Sequence, residues 1–380
     1  MRNKNYILTP GPVPVPFEVL SKAAEPIMHH RTPQFSEIFK EVSEDLKYVF
    51  QTKNEVYIFA SSGTGAMESA VVNVMQPGEK AIVVRGGKFG ERWGEICQAY
   101  NINFVPIDFE WGYPVEVEQI EKALKENPDA KAVFTTLCET STGVTYDIKS
   151  IGEFMKDKPQ LLIVDAISAL AVEEFYQDAW NVDIVVAGSQ KGIMLPPGLA
   201  FISVSEKAWK VIENNKKTGF YFNLKAMKKN LAKATTPFTP AISLIMQLKV
   251  ALNIIKNDGL ENMFKRHKLM AHATREAAKA LGLKLFAKKN SSNVCTSIEM
   301  PENIEAKKLT KKLRDEYGVT IAAGQGQIEN KIIRIAHFGF IDKFDLIVGI
   351  SAVEIGLNQL GYKVELGKGL AVAEKILFEL

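Results

Sequence analysis

A chain of 380 residues with 46% hydrophobic content can bury a large core, which excludes a disordered or small stapled protein and gives room for two domains. Its 47 basic and 44 acidic residues leave a net charge of only +3, so nothing electrostatic points to nucleic acid. Three separated cysteines, Cys97, Cys138 and Cys295, with no CxxC pair, argue against a disulfide framework and a cysteine-rich zinc site.

The first element is a proline-rich arm. Residues 7–16, ILTPGPVPVP, cannot form a helix and are expected to lie extended and docked on the body. The start holds no apolar stretch of signal-peptide length, and no run approaches the ~18 apolar residues of a membrane span. Together with the unpaired thiols, this leads to the expectation of a soluble cytoplasmic protein with no membrane partner. MHHRTPQF, at 28–35, is read as a loop.

From Glu55 onward, apolar runs alternate with helical patterns. The runs are VYIFA (56–60), AIVV (81–84), INFVPI (102–107), KAVFTTL (131–137), LLIVD (161–165), DIVVAG (183–188) and LAFISVS (199–205). Helical patterns follow the first four, in AMESAVVNVM, ERWGEICQAY, VEQIEKALKEN and IKSIGEFMK. Continuous apolar strands alternating with helices predict an α/β fold with a mostly parallel sheet flanked by helices on both faces. Ligands in such sheets bind at the carboxyl ends of the strands.

After Thr239 the character changes. Residues 240–281 read as long helices punctuated at Gly259. Strand patterns return at NVCTSIEM, GVTIAAG and KIIRIAHF, with helices at 304–316, 343–358 and 366–379. The expected organisation is an arm (1–16), a large domain (17–260) and a smaller C-terminal α+β domain (261–380).

Four places carry chemistry. SSGTGAMESA (61–70) follows a strand and opens a helix, where free backbone N–H groups around Gly63 and Thr64 suit a phosphate. A dinucleotide fingerprint would need glycine or alanine at position 68; Glu68 stands there and would repel a pyrophosphate, so an oxidoreductase reading weakens. Asp165 ends a buried strand, where a carboxylate serves either as a turn cap or as partner to a buried cation such as a protonated pyridine nitrogen. Lys191, in GSQKG just past a strand, is either a snorkelling surface lysine or an amine with depressed pKa suited to a Schiff base. Arg334 sits inside the strand KIIRIAHF and requires a planar anion, either an internal carboxylate or a substrate α-carboxylate.

The histidines offer less. His267 and His272 fall on a predicted helix and are expected at its surface, and no HxxxH or HExxH spacing supports a zinc site. No GxSxG elbow supports a serine hydrolase. A non-catalytic binding protein on the same fold would have no use for both Asp165 and Lys191.

In this order the motifs resemble the class V aminotransferases, pyridoxal 5′-phosphate (PLP) enzymes of fold type I, in the alanine–glyoxylate/serine–pyruvate branch. The similarity runs nearly end to end: LTPGP (8–12), SGTGAMESA (62–70), GKFGERW (87–93), ETSTGV (139–144), VDAISAL (164–170), GSQKGIMLPPGLAFISVS (188–205), FYFNL (220–224), TPFTPAISL (236–244) and IIRIAHFG (332–339). The resemblance implies that Lys191 anchors PLP and shuttles a proton, with Asp165 as pyridinium partner. It implies phosphate contacts at Gly63 and Thr64, ring stacking by Phe89, a bond from Thr140 to the phenolic oxygen, and a neighbouring contact from Gln190. It further implies Arg334 as carboxylate clamp and a homodimer in which Thr236–Thr239 reaches the partner's phosphate. Relatives with Trp at the Phe89 position, Ser at Thr140 or Tyr in the crossing loop blur the individual donors. The implied reaction is ping-pong transfer from alanine or serine to glyoxylate or pyruvate. If Arg31 points inward, it offers a second anion site and aspartate, glutamate or phosphoserine becomes the better donor; otherwise Arg31 pairs with an acid of its own domain. A further alternative donor, 2-aminoethylphosphonate, would offer its phosphonate to Arg334 in place of a carboxylate. A PLP lyase or desulfurase is the nearest rival within PLP chemistry, and a desulfurase would require a cysteine on a mobile loop.

Overall fold

The computed structural model describes residues 4–216 and 218–379. Its centre is a seven-stranded sheet made of β1 (Val56–Ala60), β2 (Lys80–Arg85), β3 (Asn103–Asp108), β4 (Ala132–Thr136), β5 (Leu161–Asp165), β6 (Ile184–Gly188) and β7 (Leu199–Val204). The spatial order is β1-β7-β6-β5-β4-β2-β3. From β6 to β3 every pairing is parallel, while β7 runs antiparallel to both β6 and β1. The link at 189–198 explains the reversal: a helical crossover back to a parallel strand needs about a dozen residues or more.

Strands β4 to β7 are buried along their whole length, as their continuous apolar runs predict. Alternating side chains feed two cores. Tyr57, Phe59, Val83 and Phe134 pack with Met67, Ala70 and Trp93 from helices α2 (Gly63–Val74) and α3 (Lys88–Ala99). Ile58, Ile82, Val133 and Leu162 belong to the opposite core, which also contains Phe39 and Leu46.

Those last residues lie on α1 (Pro33–Phe50), which overturns part of the loop reading of 28–35. The loop ends at Thr32, whose hydroxyl accepts the Phe35 N–H at 3.4 Å, with Pro33 at the first helical position. The long helices α4 (Ile242–Asp258) and α5 (Leu260–Ala280) meet at Gly259, where φ is +75°. His267 on α5 corrects a second expectation. It is fully buried, its Nε2 accepts the Gly339 N–H at 3.2 Å, and burial together with Arg266 pulls its pKa down to about 3.

A second sheet, β8 (Cys295–Glu299), β9 (Ala322–Ala323) and β10 (Ile332–Ala336), is antiparallel in the order β8-β10-β9. The segment GVTIAAG is therefore not one strand. Val319–Thr320 pairs in parallel with Tyr6–Ile7 of the arm, and only Ala322–Ala323 joins β10. The Leu8 N–H and carbonyl, bonded to Thr320 O and the Ala336 N–H at 2.8 Å each, continue that docking, so the arm is extended and fixed. Among the described residues, no helix is long and apolar enough to cross a membrane.

Candidate active site

The carboxyl ends of β4, β5 and β6 converge with the start of α2, the start of α3 and the second sheet. Lys191 lies in the turn after β6. That turn is fixed by Ser189, whose Oγ donates to Pro196 O at 2.8 Å and accepts the Leu199 N–H at 3.1 Å. The arm closes over it: the Val13 N–H donates to Gln190 O at 3.2 Å, and Lys191 Nζ donates to Pro10 O. Gly11 makes this crossing feasible. Its φ is +113°, and a Cβ there would lie 2.4 Å from Lys191 Nζ. The lysine is therefore not the snorkelling surface residue of the plain alternative. Burial pulls its pKa down to about 8; Arg334 assists, while Asp165 and Cys295 oppose the shift.

Asp165 is 5% exposed and does cap its turn, accepting the Ile167 N–H at 2.7 Å. Capping is not its whole environment. Burial, and secondarily Glu139, push its pKa up to about 7 against the pull of Arg92 and Lys191. Among the described residues no ion pair reaches it. A buried carboxylate in that state gains most from a bound cation.

The start of α2 is open. Ser62 stands at the N-cap but makes no side-chain capping bond. A Cβ at Gly63 would meet Ile167 at 2.6 Å, and one at Gly65 would meet Ser61 Oγ at 2.1 Å. These glycines let the helix start lie close against its surroundings; the Gly65 N–H donates to Ser62 O at 2.9 Å, which leaves the Gly63 and Thr64 N–H groups for an anion. Thr64 Oγ1 accepts from Arg92 Nη1 at 3.3 Å, and the Arg92 guanidinium lies 5.0 Å from the centroid of the Phe89 ring.

Phe89 is positioned by a residue that the sequence reading did not single out. Fully buried Glu139 accepts the N–H groups of Phe89 at 3.1 Å and Gly90 at 2.8 Å, and its other oxygen accepts from Ser141 Oγ at 2.5 Å. It thereby caps α3, and burial raises its pKa against the pull of these bonds. The available signal was Gly87 ahead of Lys88, a helix start with no side chain of its own to cap it. Arg92 also went unread; its signal was an arginine one turn inside the same helix.

Thr140 Oγ1 donates to Ser168 Oγ at 2.6 Å. Its carbonyl accepts from Arg334 Nη1 at 3.0 Å, while Arg334 Nε and Nη2 donate to Ala323 O at 3.2 and 2.8 Å. Arg334 is 5% exposed, and among the described residues no carboxylate pairs with it. The internal salt bridge offered as its structural alternative is absent among those residues. Two carbonyls position the guanidinium and leave donors over for an anion. Gln190 Oε1 is buried and, among the described residues, has no hydrogen-bond partner, a further unmet polar group.

Thr236 and Thr239 lie elsewhere in the chain's own fold. Thr236 Oγ1 donates to Phe238 O at 2.6 Å, Thr239 is exposed, and among the described residues no hydrogen bond joins either to Lys191, Asp165 or Arg334. Among the described residues Arg31 pairs with no acid. Its Nη1 donates to Thr235 Oγ1 at 2.9 Å and Thr236 O at 3.2 Å, so it tethers this loop.

The site thus offers an open helix start for a phosphate, a buried carboxylate for a ring cation, an amine for an aldehyde and a guanidinium for a carboxylate. Among the described residues, no three His, Cys, Asp or Glu side chains form a metal-binding group.

Comparison with known proteins agrees with this donor set. The family model "Aminotransferase class-V" matches residues 18–335. The chain is 36% identical to a serine–glyoxylate aminotransferase of Methylorubrum extorquens, covering 99% of this chain and 96% of that protein. It is 39% identical to a Synechococcus protein described as the small subunit of a soluble hydrogenase, covering 99% of both. The solved ureidoglycine–glyoxylate aminotransferase of Bacillus subtilis superposes with a TM-score of 0.96 at 29% identity, over 100% of this chain and 99% of that one. The fold is that of the fold type I aminotransferases. The chain belongs to the class V aminotransferase family.

Proposed function

We propose that this enzyme is a PLP-dependent aminotransferase that moves the amino group of a small amino acid, alanine or serine, to glyoxylate or pyruvate. The observation that carries the reading is Arg334, a buried guanidinium with only carbonyl partners, within electrostatic reach of Lys191. The glyoxylate named for the serine–glyoxylate and ureidoglycine–glyoxylate relatives supports the acceptor.

In this reading PLP is held by Lys191 covalently, by Asp165 at its ring nitrogen, by Gly63 and Thr64 at its phosphate, and by Phe89, Thr140 and Gln190 around its ring. Bound there, it supplies an electron sink for charge that develops at the substrate Cα. The protein does the rest. Arg334 grips the α-carboxylate and orients the Cα–H bond toward Lys191. With its pKa near 8, Lys191 Nζ can be neutral at modest cost and take the Cα proton. Asp165, ionised opposite a cation, keeps the ring nitrogen protonated. The arm at Pro10 and Gly11 shields the amine from water.

Donor choice follows from the cations. Arg31 is exposed and holds Thr235 and Thr236 through Nη1, whereas Arg334 is the buried guanidinium within electrostatic reach of Lys191; this makes Arg334 the carboxylate clamp and favours a small donor over aspartate or phosphoserine. The cysteines disfavour a desulfurase: Cys97, Cys138 and Cys295 are all buried, and burial raises each thiol pKa. We further propose a domain division near residue 260 and a homodimer in which Thr236–Thr239 crosses to the partner's phosphate. Light scattering that finds a monomer with undiminished cofactor affinity would contradict the dimer.

The test is a half-reaction screen. The loaded enzyme is mixed with one amino acid at a time, and the visible cofactor absorbance is followed; glyoxylate is then added. Alanine or serine should bleach it fastest, and glyoxylate should restore it. Faster bleaching by aspartate or phosphoserine would overturn the donor assignment.

A further inference from the structure

One cation at this site has no task in the mechanism above. Arg92 is half-buried on α3, one turn past Phe89. Among the described residues it contacts a hydroxyl, Thr64 Oγ1 at 3.3 Å, and the Phe89 ring face at 5.0 Å. The neighbouring acids are engaged elsewhere: Glu91 pairs with Lys88, and Glu68 accepts from Tyr100. Among the described residues no carboxylate forms an ion pair with Arg92. A guanidinium carries five donors in a rigid fork, and a long bond to a neutral hydroxyl satisfies few of them.

The position of that hydroxyl gives the arrangement its meaning. Thr64 is in the first turn of α2, whose N-cap Ser62 makes no capping bond. The helix start supplies about half a positive charge, which falls short of a phosphate monoester carrying close to two negative charges. A full cation one hydroxyl away makes up much of the deficit, and a guanidinium matches phosphate oxygens two at a time. The Phe89 ring face limits where the guanidinium can swing. The field of Arg92 also reaches Asp165, where it opposes the upward push of burial on the carboxyl.

We propose that Arg92 is a phosphate ligand of the cofactor, exchanging its bond to Thr64 for the phosphate monoester of PLP. The proposal rests on the PLP reading above and adds a residue to it. It assigns Arg92 a ligand that distinguishes PLP from pyridoxal, which is the same ring without the phosphate.

The experiment compares these two ligands on the full chain after removal of cofactor. Wild type, Arg92→Lys and Arg92→Ala are titrated with each, and binding is read from tryptophan fluorescence; Trp93 follows Arg92 and donates to Thr135 O at 3.1 Å, next to the carboxyl end of β4. Arg92→Ala should weaken PLP binding by about tenfold to a hundredfold while pyridoxal affinity stays within about twofold, with Arg92→Lys in between. If Arg92→Ala does not fold, Arg92→Lys carries the test, with a loss of at least about threefold expected for PLP alone. Equal losses for both ligands, the mark of a merely structural arginine, would overturn the proposal. So would unchanged PLP binding, including the case in which only the reaction with dicarboxylic donors suffers. A wild-type chain that binds neither ligand would overturn the cofactor reading itself, a result distinct from a wild type that binds PLP independently of Arg92.

Discussion

Asp165→Asn separates what Asp165 costs the empty fold from what it gives the loaded enzyme. In the cofactor-free chain the carboxyl is buried, and its pKa is pushed from 3.8 to about 7. A carboxyl with a higher pKa in the fold than in the unfolded chain is held most favourably when protonated. The contribution of this carboxyl to stability is therefore most favourable below about pH 4 and is lost as pH rises through about 7. At about 1.4 kcal/mol per tenfold change in proton affinity, the shift corresponds to a loss of about 4 kcal/mol by pH 8. Asparagine keeps an oxygen for the Ile167 N–H and never ionises. The cofactor-free variant should thus be more stable than cofactor-free wild type, by about 2–3 kcal/mol more at pH 8 than at pH 5. Urea unfolding at the two pH values, read by tryptophan fluorescence, measures this directly. The loaded enzyme should respond in the opposite sense, with activity falling roughly a thousandfold or more because the ring nitrogen loses its buried charge partner. A stability difference that is the same at both pH values would refute the assignment of the burial cost to Asp165. Near-native activity of the variant would refute its role.

Two further substitutions test the clamp and the arm. Arg334→Ala removes the carboxylate grip and leaves the Thr140 and Ala323 carbonyls short of a donor, so kcat/KM for amino acids should fall by roughly a hundredfold or more; an equal loss with an amine lacking a carboxylate would count against the clamp. Gly11→Ala puts a methyl 2.4 Å from Lys191 Nζ at a φ of +113°, so kcat should drop several-fold while far-UV circular dichroism stays unchanged; wild-type kcat would show that the arm's close approach is not used in catalysis.

The parts of this site legible in the sequence were those carried by residue types in unusual company. A carboxylate closing LLIVD and a lysine between DIVVAG and LAFISVS stand out because charged groups avoid such surroundings, and both lie at the strand ends where the parallel sheet gathers its ligands. What escaped were relationships between elements. The antiparallel placement of β7 between β1 and β6 depends on tertiary pairing, which apolar runs do not encode. The splitting of GVTIAAG reflects the arm pairing with Val319–Thr320, a contact more than 300 positions apart in sequence. His267 lies in the middle of one buried stripe of α5, with Met263, Phe264, Met270, Ala271 and Thr274 at helical spacing around it, so its burial was legible from periodicity and only its polar type argued for the surface. Glu139 stands in the sequence only as the first residue of ETSTGV, and nothing local shows that it caps a helix some 50 residues earlier. The start of α1 was readable and was missed: Thr32 followed by Pro33 is a cap and a first-turn proline.

The most direct test of the account is transfer of nitrogen itself. The loaded enzyme is given ¹⁵N-serine or ¹⁵N-alanine together with glyoxylate, and glycine is analysed by mass spectrometry for wild type and for Lys191→Ala. Wild type should give ¹⁵N-glycine, and the variant none above background. Absence of label transfer from either donor, or undiminished transfer by Lys191→Ala, would contradict it.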